Sequence, residues 1–217
     1  MELRKFYNEE AKFIRCDETN NDVVVRAKRM ILPLLPKEAI KILDTGCGDG
    51  YLVNQLRKKG LDAVGIDLSN ERVSYARKRY GNHFGVSSIY ELKFEDNYFD
   101  LSIASEVIEH LEDPAKALKE LKRISKKIIL TFPYKEKLIK EVCPHCLKRF
   151  YRSGHIQYFD QERIEKLIKQ NNLRIIKTKK VAYYPFINFP FLIAWMINKI
   201  LEILDKTTYI GILCEKN

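Results

Sequence analysis

The sequence lacks an apolar run clean enough to read as a membrane span. Its most hydrophobic stretch, 185–206, is interrupted by Asn188, Pro190, Asn198, Lys199 and Glu202, whereas a spanning helix needs about 20 predominantly apolar residues. It lacks a secretory leader, and its cysteines number five, an odd count that makes up no disulfide framework. Free thiols or bound metal in a reducing, cytoplasmic compartment are expected instead. There is no basic tail, no basic–aromatic repeat and no separate RNA-binding module, although the net charge is +10. The cations are spread over helix faces (Arg77-Lys78-Arg79, Lys122-Arg123, Lys126-Lys127 and the lysines from 177 to 180). Such a surface favours any anionic partner and reads equally well as solvated helix faces. What is present suits one α/β domain with a proper core: 217 residues, 46% hydrophobic and 31% charged.

The informative stretch is Ile40-Lys41-Ile42-Leu43-Asp44-Thr45-Gly46-Cys47-Gly48-Asp49-Gly50. A short apolar run ends in an acid, glycines fall on alternate positions, and a helical pattern follows from Tyr51 to Lys59. This reads as a buried strand, a tight turn and a helix start. Glycines there permit positive φ and bring bare backbone against a ligand. Ala63-Val64-Gly65-Ile66-Asp67 is a second strand ending in an acid, which suits the two hydroxyls of a ribose. The dinucleotide fingerprint needs its third glycine where this chain has Tyr51. Asp44 at the mouth of the turn repels a pyrophosphate and suits an ammonium. The ligand implied carries a ribose and a cation and no phosphate.

Leu43-Asp44-x-Gly46-x-Gly48-x-Gly50 together with Asp67 resembles the class I S-adenosylmethionine-dependent methyltransferases, in particular their small-molecule, ubiquinone-pathway-like branch. The resemblance covers 38–132 with specific motifs and the remainder by general layout. It implies a Rossmann-like, doubly wound α/β fold: a mostly parallel seven-stranded sheet whose last strand is antiparallel. Residues 1–37 become an N-terminal helical cover, 38–132 the cofactor-binding core, and 133–217 the substrate side, all in a single domain. The cofactor contacts implied are Asp44, Gly46, Cys47, Gly48, Asp67, Leu68, Ser88, Ile89 and Ser105. Ser88 stands where the family usually has an acid for the adenine amino group, so backbone groups share that task here.

Along the chain, Phe6-Tyr7-Asn8 and Val23 to Leu35 read as amphipathic helices closed by Pro33 and Pro36. Tyr7 is a candidate pocket or packing residue, and Arg15 and Cys16 carry no readable signal. Asn70 to Tyr80 is a helix, and His83 to Ser87, Leu101 to Ala104 and Lys127 to Phe132 are strands. Asp113-Pro114 opens a helix. A Lys-rich stretch after Pro133 reads as helical, Asp160 to Gln170 as a helix, and Arg174 to Tyr184 and Tyr209 to Cys214 as the closing strands. Phe191 to Leu204 is an amphipathic helix inserted before the last strand. A lid or packing role for 186–204 is weighed against a dimer face and peripheral contact with a membrane surface.

Glu106, Glu109 and His110 have the spacing i, i+3, i+4, which on a helical turn puts all three on one face. With His155 they are a candidate divalent-metal set. Two metal-using subgroups of the family resemble this: the ubiquinone-pathway O-methyltransferases and the enzymes that methylate the terminal ribose of small RNAs. In the metal-free reading, Glu106 lines the methionine end of the site while His110 or His155 acts as general base or packs. Cys143-Pro144-His145-Cys146 supplies half of a tetrahedral zinc site, with Cys143 and Cys146 as ligands; His145, His155 or Cys16 are the available completions, and plain free thiols are the alternative. The expected activity is methyl transfer from S-adenosylmethionine to an oxygen or nitrogen of a small molecule, by a monomer or homodimer. Metal-assisted RNA ribose methylation is the second reading. A third is a regulatory protein that binds S-adenosylmethionine without turnover.

Overall fold

The computed structural model describes residues 3–17, 24, 27–151, 154–181, 191–204 and 206–217. Its central strand is β1 (Lys41–Thr45), almost wholly buried. β1 pairs in parallel with β2 (Asp62–Asp67) on one side and with β4 (Phe99–Ser105) on the other. β3 (Phe84–Val86) extends the β2 side, and β5 (Ser125–Pro133) extends the β4 side, both parallel. β9 (Tyr209–Lys216) then runs antiparallel between β5 and β8 (Leu173–Val181). The seven-stranded order is β3-β2-β1-β4-β5-β9-β8. The chain leaves β1 toward one side and later returns to its other side, so the loops at the C-terminal ends of β1 and β4 diverge and open a crevice.

Helices cover both faces because each strand alternates its side chains between them. Ile42 of β1 and Ile129 of β5 pack with α2 (Tyr51–Arg57) and α3 (Asn70–Tyr80) through Leu52, Val53, Leu56, Val73 and Ala76. Leu43, Ile128 and Leu130 face the opposite way, onto α4 (Pro114–Ile124) and α5 (Gln161–Gln170) through Leu118, Leu121 and Ile164. The helix starts follow local chemistry: Ser69, Asp113 and Asp160 each accept the backbone N–H three residues on, satisfying donors that a helix leaves open.

Three segments differ from the sequence reading. The stretch before β1 shows a π-helical turn, Ala27–Ile31, and a short 3-10 turn, Leu32–Leu34, in place of a regular helix. Pro33 and Pro36 cannot donate to a longer ladder. The Lys-rich stretch after Pro133 forms no helix; Lys140–Val142 (β6) and Arg149–Tyr151 (β7) pair as a separate antiparallel hairpin. The third strand is shorter than expected, Phe84–Val86. α1 (Leu3–Glu10) lies over the crevice. α6 (Phe191–Ile203) carries exposed Ile193, Met196, Ile200 and Ile203; the expectations for 182–190 fall outside the described residues. Among the described residues, no helix is long and apolar enough to cross a membrane.

Candidate active site

The turn after β1 is strapped to β2. The N–H groups of Gly46 and Cys47 both donate to the carbonyl of Ile66, at 2.8 and 2.9 Å. Gly46 has φ +71°, and a Cβ there would lie 2.5 Å from Val107 Cγ2, so the turn needs glycine twice over: for the dihedral and for the space. One carboxylate oxygen of Asp67 accepts the Gly48 N–H at 2.9 Å, the other the Ser69 N–H at 2.8 Å. Asp67 therefore braces the cofactor turn as well as facing the crevice. Burial raises its pKa, and those two N–H donors oppose the shift. Among the described residues no such donor reaches Asp44, which is 3% exposed. Burial and then the neighbouring Asp67 push its carboxyl up to about 8. Burial also pushes the Cys47 thiol well up, so it stays protonated and is no nucleophile.

All nine cofactor candidates (Asp44, Gly46, Cys47, Gly48, Asp67, Leu68, Ser88, Ile89 and Ser105) line one cavity of about 430 Å³, together with Glu106, His110 and His155. That volume lies in the usual range for small-molecule sites, roughly 300–1,000 Å³. Its roof is part of the N-terminal segment, in which Tyr7 is the candidate pocket residue of the sequence and Cys16 carries no readable signal. Arg72 of α3 donates to Glu10 of α1 at 2.9 Å and to Asp49 at 3.4 Å. Asp49 accepts the backbone N–H of Cys16 at 2.6 Å, and Ser69 donates to Asn8 at 2.8 Å. Tyr75 adds a bond to Asp17 at 2.7 Å. These contacts hold 7–17 over the cofactor turn, so that Tyr7, Glu10 and Cys16 become wall residues.

The far end of the cavity is built by β4, β5 and the loop before α5. Glu106 takes a left-handed conformation, φ +56°, and its backbone N–H donates to the Thr131 carbonyl at 2.9 Å. Only Ile108–His110 forms a helical turn, of 3-10 type. Glu106 therefore does not share a helical face with Glu109 and His110, which corrects the i, i+3, i+4 reading. Its carboxylate accepts the Thr131 hydroxyl at 3.1 Å, and it lies outside the metal-like cluster. That cluster is Glu109, His110 and His155, whose potential ligand atoms all lie within 4.8 Å of one another. Glu109 is buried behind the cavity, and its carbonyl accepts the N–H groups of Ile156 and Gln157 at 2.9 and 3.0 Å. This anchors the loop that delivers His155.

The two imidazoles are held differently. His110 Nδ1 contacts the Gly154 carbonyl at 3.2 Å, and its ring meets those of Tyr7 and His155 edge-on at 5.9 and 4.7 Å. Burial, then His155, lowers the His110 pKa to about 4, so His110 is neutral at physiological pH. Burial first, then Glu10, Glu109 and Asp67, raises the Tyr7 phenol; it remains a neutral hydroxyl. His155 Nδ1 meets the Glu136 carboxylate at 2.5 Å. Glu136 was not legible as a site residue. Cys143 and Cys146 line no part of the cavity.

With that geometry in view, residues 43–128 match the family model described as a methyltransferase domain. Over those residues the chain is similar to methyltransferase domains, and S-adenosylmethionine is supported as the methyl donor. Over 93 residues the chain is 36% identical to the ubiquinone biosynthesis O-methyltransferase of Hahella chejuensis, covering 40% of this chain and 39% of that protein. The chain spans about two-fifths of the length of the first curated relatives it matches. Among solved structures, PH0226 from Pyrococcus horikoshii superposes with TM-score 0.68 at 21% identity, over 96% of this chain and 99% of that one. An S-adenosylmethionine-dependent methyltransferase from Mesorhizobium loti gives 0.64 at 15%, over 86% and 95%. These two likenesses establish the fold of the methyltransferase domain and no more.

Proposed function

We propose that the protein transfers a methyl group from S-adenosylmethionine to an oxygen or nitrogen of a small-molecule acceptor, in the cytoplasm. The observation that carries this reading is a single cavity lined by two chemically distinct groups of side chains. One group is the two buried carboxylates, Asp44 and Asp67, with the glycine turn; the other is His110 and the Glu136-paired His155. The first group fits a ligand with a cation and a vicinal diol. Among the described residues the cavity's one guanidinium, Arg72, is already held by Glu10 and Asp49, which disfavours a pyrophosphate.

Asp67 would hold the ribose hydroxyls and Asp44 the ammonium. Bound there, S-adenosylmethionine supplies an electrophilic methyl group on a leaving sulfonium. The chain's own residues orient the acceptor and take its proton. Glu136 fixes the His155 ring through Nδ1–H and leaves Nε2 as the basic nitrogen for an acceptor hydroxyl or ammonium proton. Neutral His110 and the edge-on Tyr7 wall the same space, and the 7–17 segment shields it from water. Alignment supplies most of the rate in such a transfer, because the leaving group is already good. The test is methyl-labelled S-adenosylmethionine incubated with the protein and a panel of phenols, catechols and amines. Label in the extracted small-molecule fraction is expected. Label that appears only in added RNA would overturn the acceptor class.

One observation favours a second reading. Both imidazoles engage a partner through Nδ1 (the Gly154 carbonyl and the Glu136 carboxylate), the arrangement that leaves Nε2 to face an ion. With Glu109, they would hold a divalent cation able to bind and acidify an acceptor hydroxyl, as in metal-assisted ribose methylation of RNA. Turnover that collapses with chelator and returns with manganese or zinc, but not in Glu109→Ala, would select this reading over the first.

A further inference from the structure

The hairpin of β6 and β7 lies outside the cavity and has no part in the chemistry above. Its turn is Cys143-Pro144-His145-Cys146-Leu147. The Cys143 N–H donates to the Lys148 carbonyl and the Leu147 N–H to the Cys143 carbonyl, both at 2.9 Å. Leu147 takes a left-handed φ of +55° to close the turn. Cys143 and Cys146 thus flank one closed turn, both unoxidised, at the Cys-x-x-Cys spacing that supplies two thiolate ligands of a tetrahedral site.

Every other thiol and imidazole of the chain is placed elsewhere. Cys16 packs against Gly48, and Cys47 and Cys214 are buried in the sheet core. His110 and His155 line the cavity, while His83 precedes β3 at the far edge of the sheet. This removes Cys16 and His155 as completions of the fork. Among the described residues, the one set of three or more potential ligand atoms within 4.8 Å is Glu109, His110 and His155, so His145 does not complete it either. A thiophilic ion of tetrahedral preference takes four ligands in a structural site, and this chain presents two. They stand at the protein surface, with Cys146 exposed, among the exposed apolar side chains of Val142, Leu147 and Phe150.

We propose that Cys143 and Cys146 are half of a structural zinc site, completed by the same two cysteines of a second copy of this chain. A two-fold axis through the ion converts one two-thiolate fork into a four-thiolate tetrahedron without any further ligand, and brings the same surface of each copy together. The apolar Leu147 and Phe150 of each copy lie beside the fork and are covered by the same contact. Lys140, Lys148 and Arg149 on each hairpin would repel one another across the axis; a zinc ion with four thiolates carries a net charge of two minus and offsets them. The hairpin is bounded in the chain by Glu136 and His155, so the joint braces the dyad of the active site.

The test uses the full chain, reduced and stripped with chelator, then titrated with zinc while mass is followed by light scattering. Bound zinc is counted as the difference between wild type and Cys143→Ser, which excludes ions held in the cavity. One zinc per two chains, a doubling of mass on zinc addition, and loss of both in Cys146→Ser are expected. Cobalt(II) should give the sulfur-to-metal charge-transfer band of four thiolates. S-adenosylmethionine binding by Cys146→Ser, unchanged, reports that the variant is folded. One zinc per chain at monomer mass, no cysteine-dependent zinc, or a dimer indifferent to chelator and to both substitutions would each overturn the proposal.

Discussion

Asp44 should give up a proton when the cofactor binds. In the free protein its carboxyl is buried beside Asp67 and pushed up to about 8, so at pH 7 roughly nine-tenths of the molecules carry it protonated. An ammonium placed against it favours the ionised form and pulls that pKa down. Titrating S-adenosylmethionine at pH 7 should therefore release about 0.9 of a proton per site. Calorimetry in two buffers of different ionisation enthalpy, phosphate and Tris, reads this directly, since the apparent enthalpies differ by the number released times the buffer difference. The affinity should follow: with a free-state pKa near 8, binding tightens about ninefold from pH 6 to pH 7. Asp44→Asn should show no release and a flat profile over that range. Identical enthalpies in the two buffers for wild type at pH 7 would refute the assignment. The same shift bears on the free protein. A carboxyl whose folded pKa lies above its unfolded one contributes stability that is fully present below about pH 4 and is lost as pH rises through about 8. Wild type should therefore lose ground to Asp44→Asn across that window, as thermal melts in parallel would show.

Gly50 tests the fold apart from the chemistry. It sits at φ +87°, and an added Cβ would lie 2.7 Å from Phe84 Cζ and 2.9 Å from Ala76 Cβ. The dihedral costs about 1–2 kcal/mol and the overpacking about 1–3, so Gly50→Ala should lower the melting temperature by roughly 5–15 °C; an unchanged melt would contradict the packing described. For the dyad, His155→Ala should reduce kcat by about 10²–10⁴ with cofactor affinity intact. Glu136→Gln should reduce kcat about tenfold with cofactor affinity intact, because it acts by holding the His155 ring. Equal rates for wild type and both variants would return the pair to a structural role.

The cofactor end of the site was readable because its signals are local. Asp44, Gly46, Gly48 and Gly50 lie within one strand–turn–helix, and Asp67 ends the next strand; backbone strain and charge at fixed offsets require particular residue types. Glu106 misled because spacing alone assumes a helix, whereas a left-handed residue at 106 breaks the phase before the 3-10 turn begins. Glu136 was hidden in a Lys-rich stretch whose periodicity suggested a helix; three-residue strands such as β6 and β7 leave too short a pattern to compete. The contacts that hold the roof were not legible for another reason. Arg72 joins Glu10 and Asp49 across 62 and 23 positions of sequence, and nothing in a charged helix face says which of its cations will be buried. The Cys-x-x-Cys spacing is legible in the sequence, and the placement of the other cysteines and histidines, away from it among the described residues, is not.

The central claim is that the crevice beyond β1 and β4 holds S-adenosylmethionine by two buried acids, with its methyl-donor end toward His155. A crystal structure with S-adenosylhomocysteine tests it most directly. The account predicts both ribose hydroxyls on the Asp67 carboxylate, the ammonium toward Asp44, and the sulfur on the side of the cavity that His110 and His155 wall. A ligand seated elsewhere, or one in this cavity with its ribose away from Asp67, would contradict it.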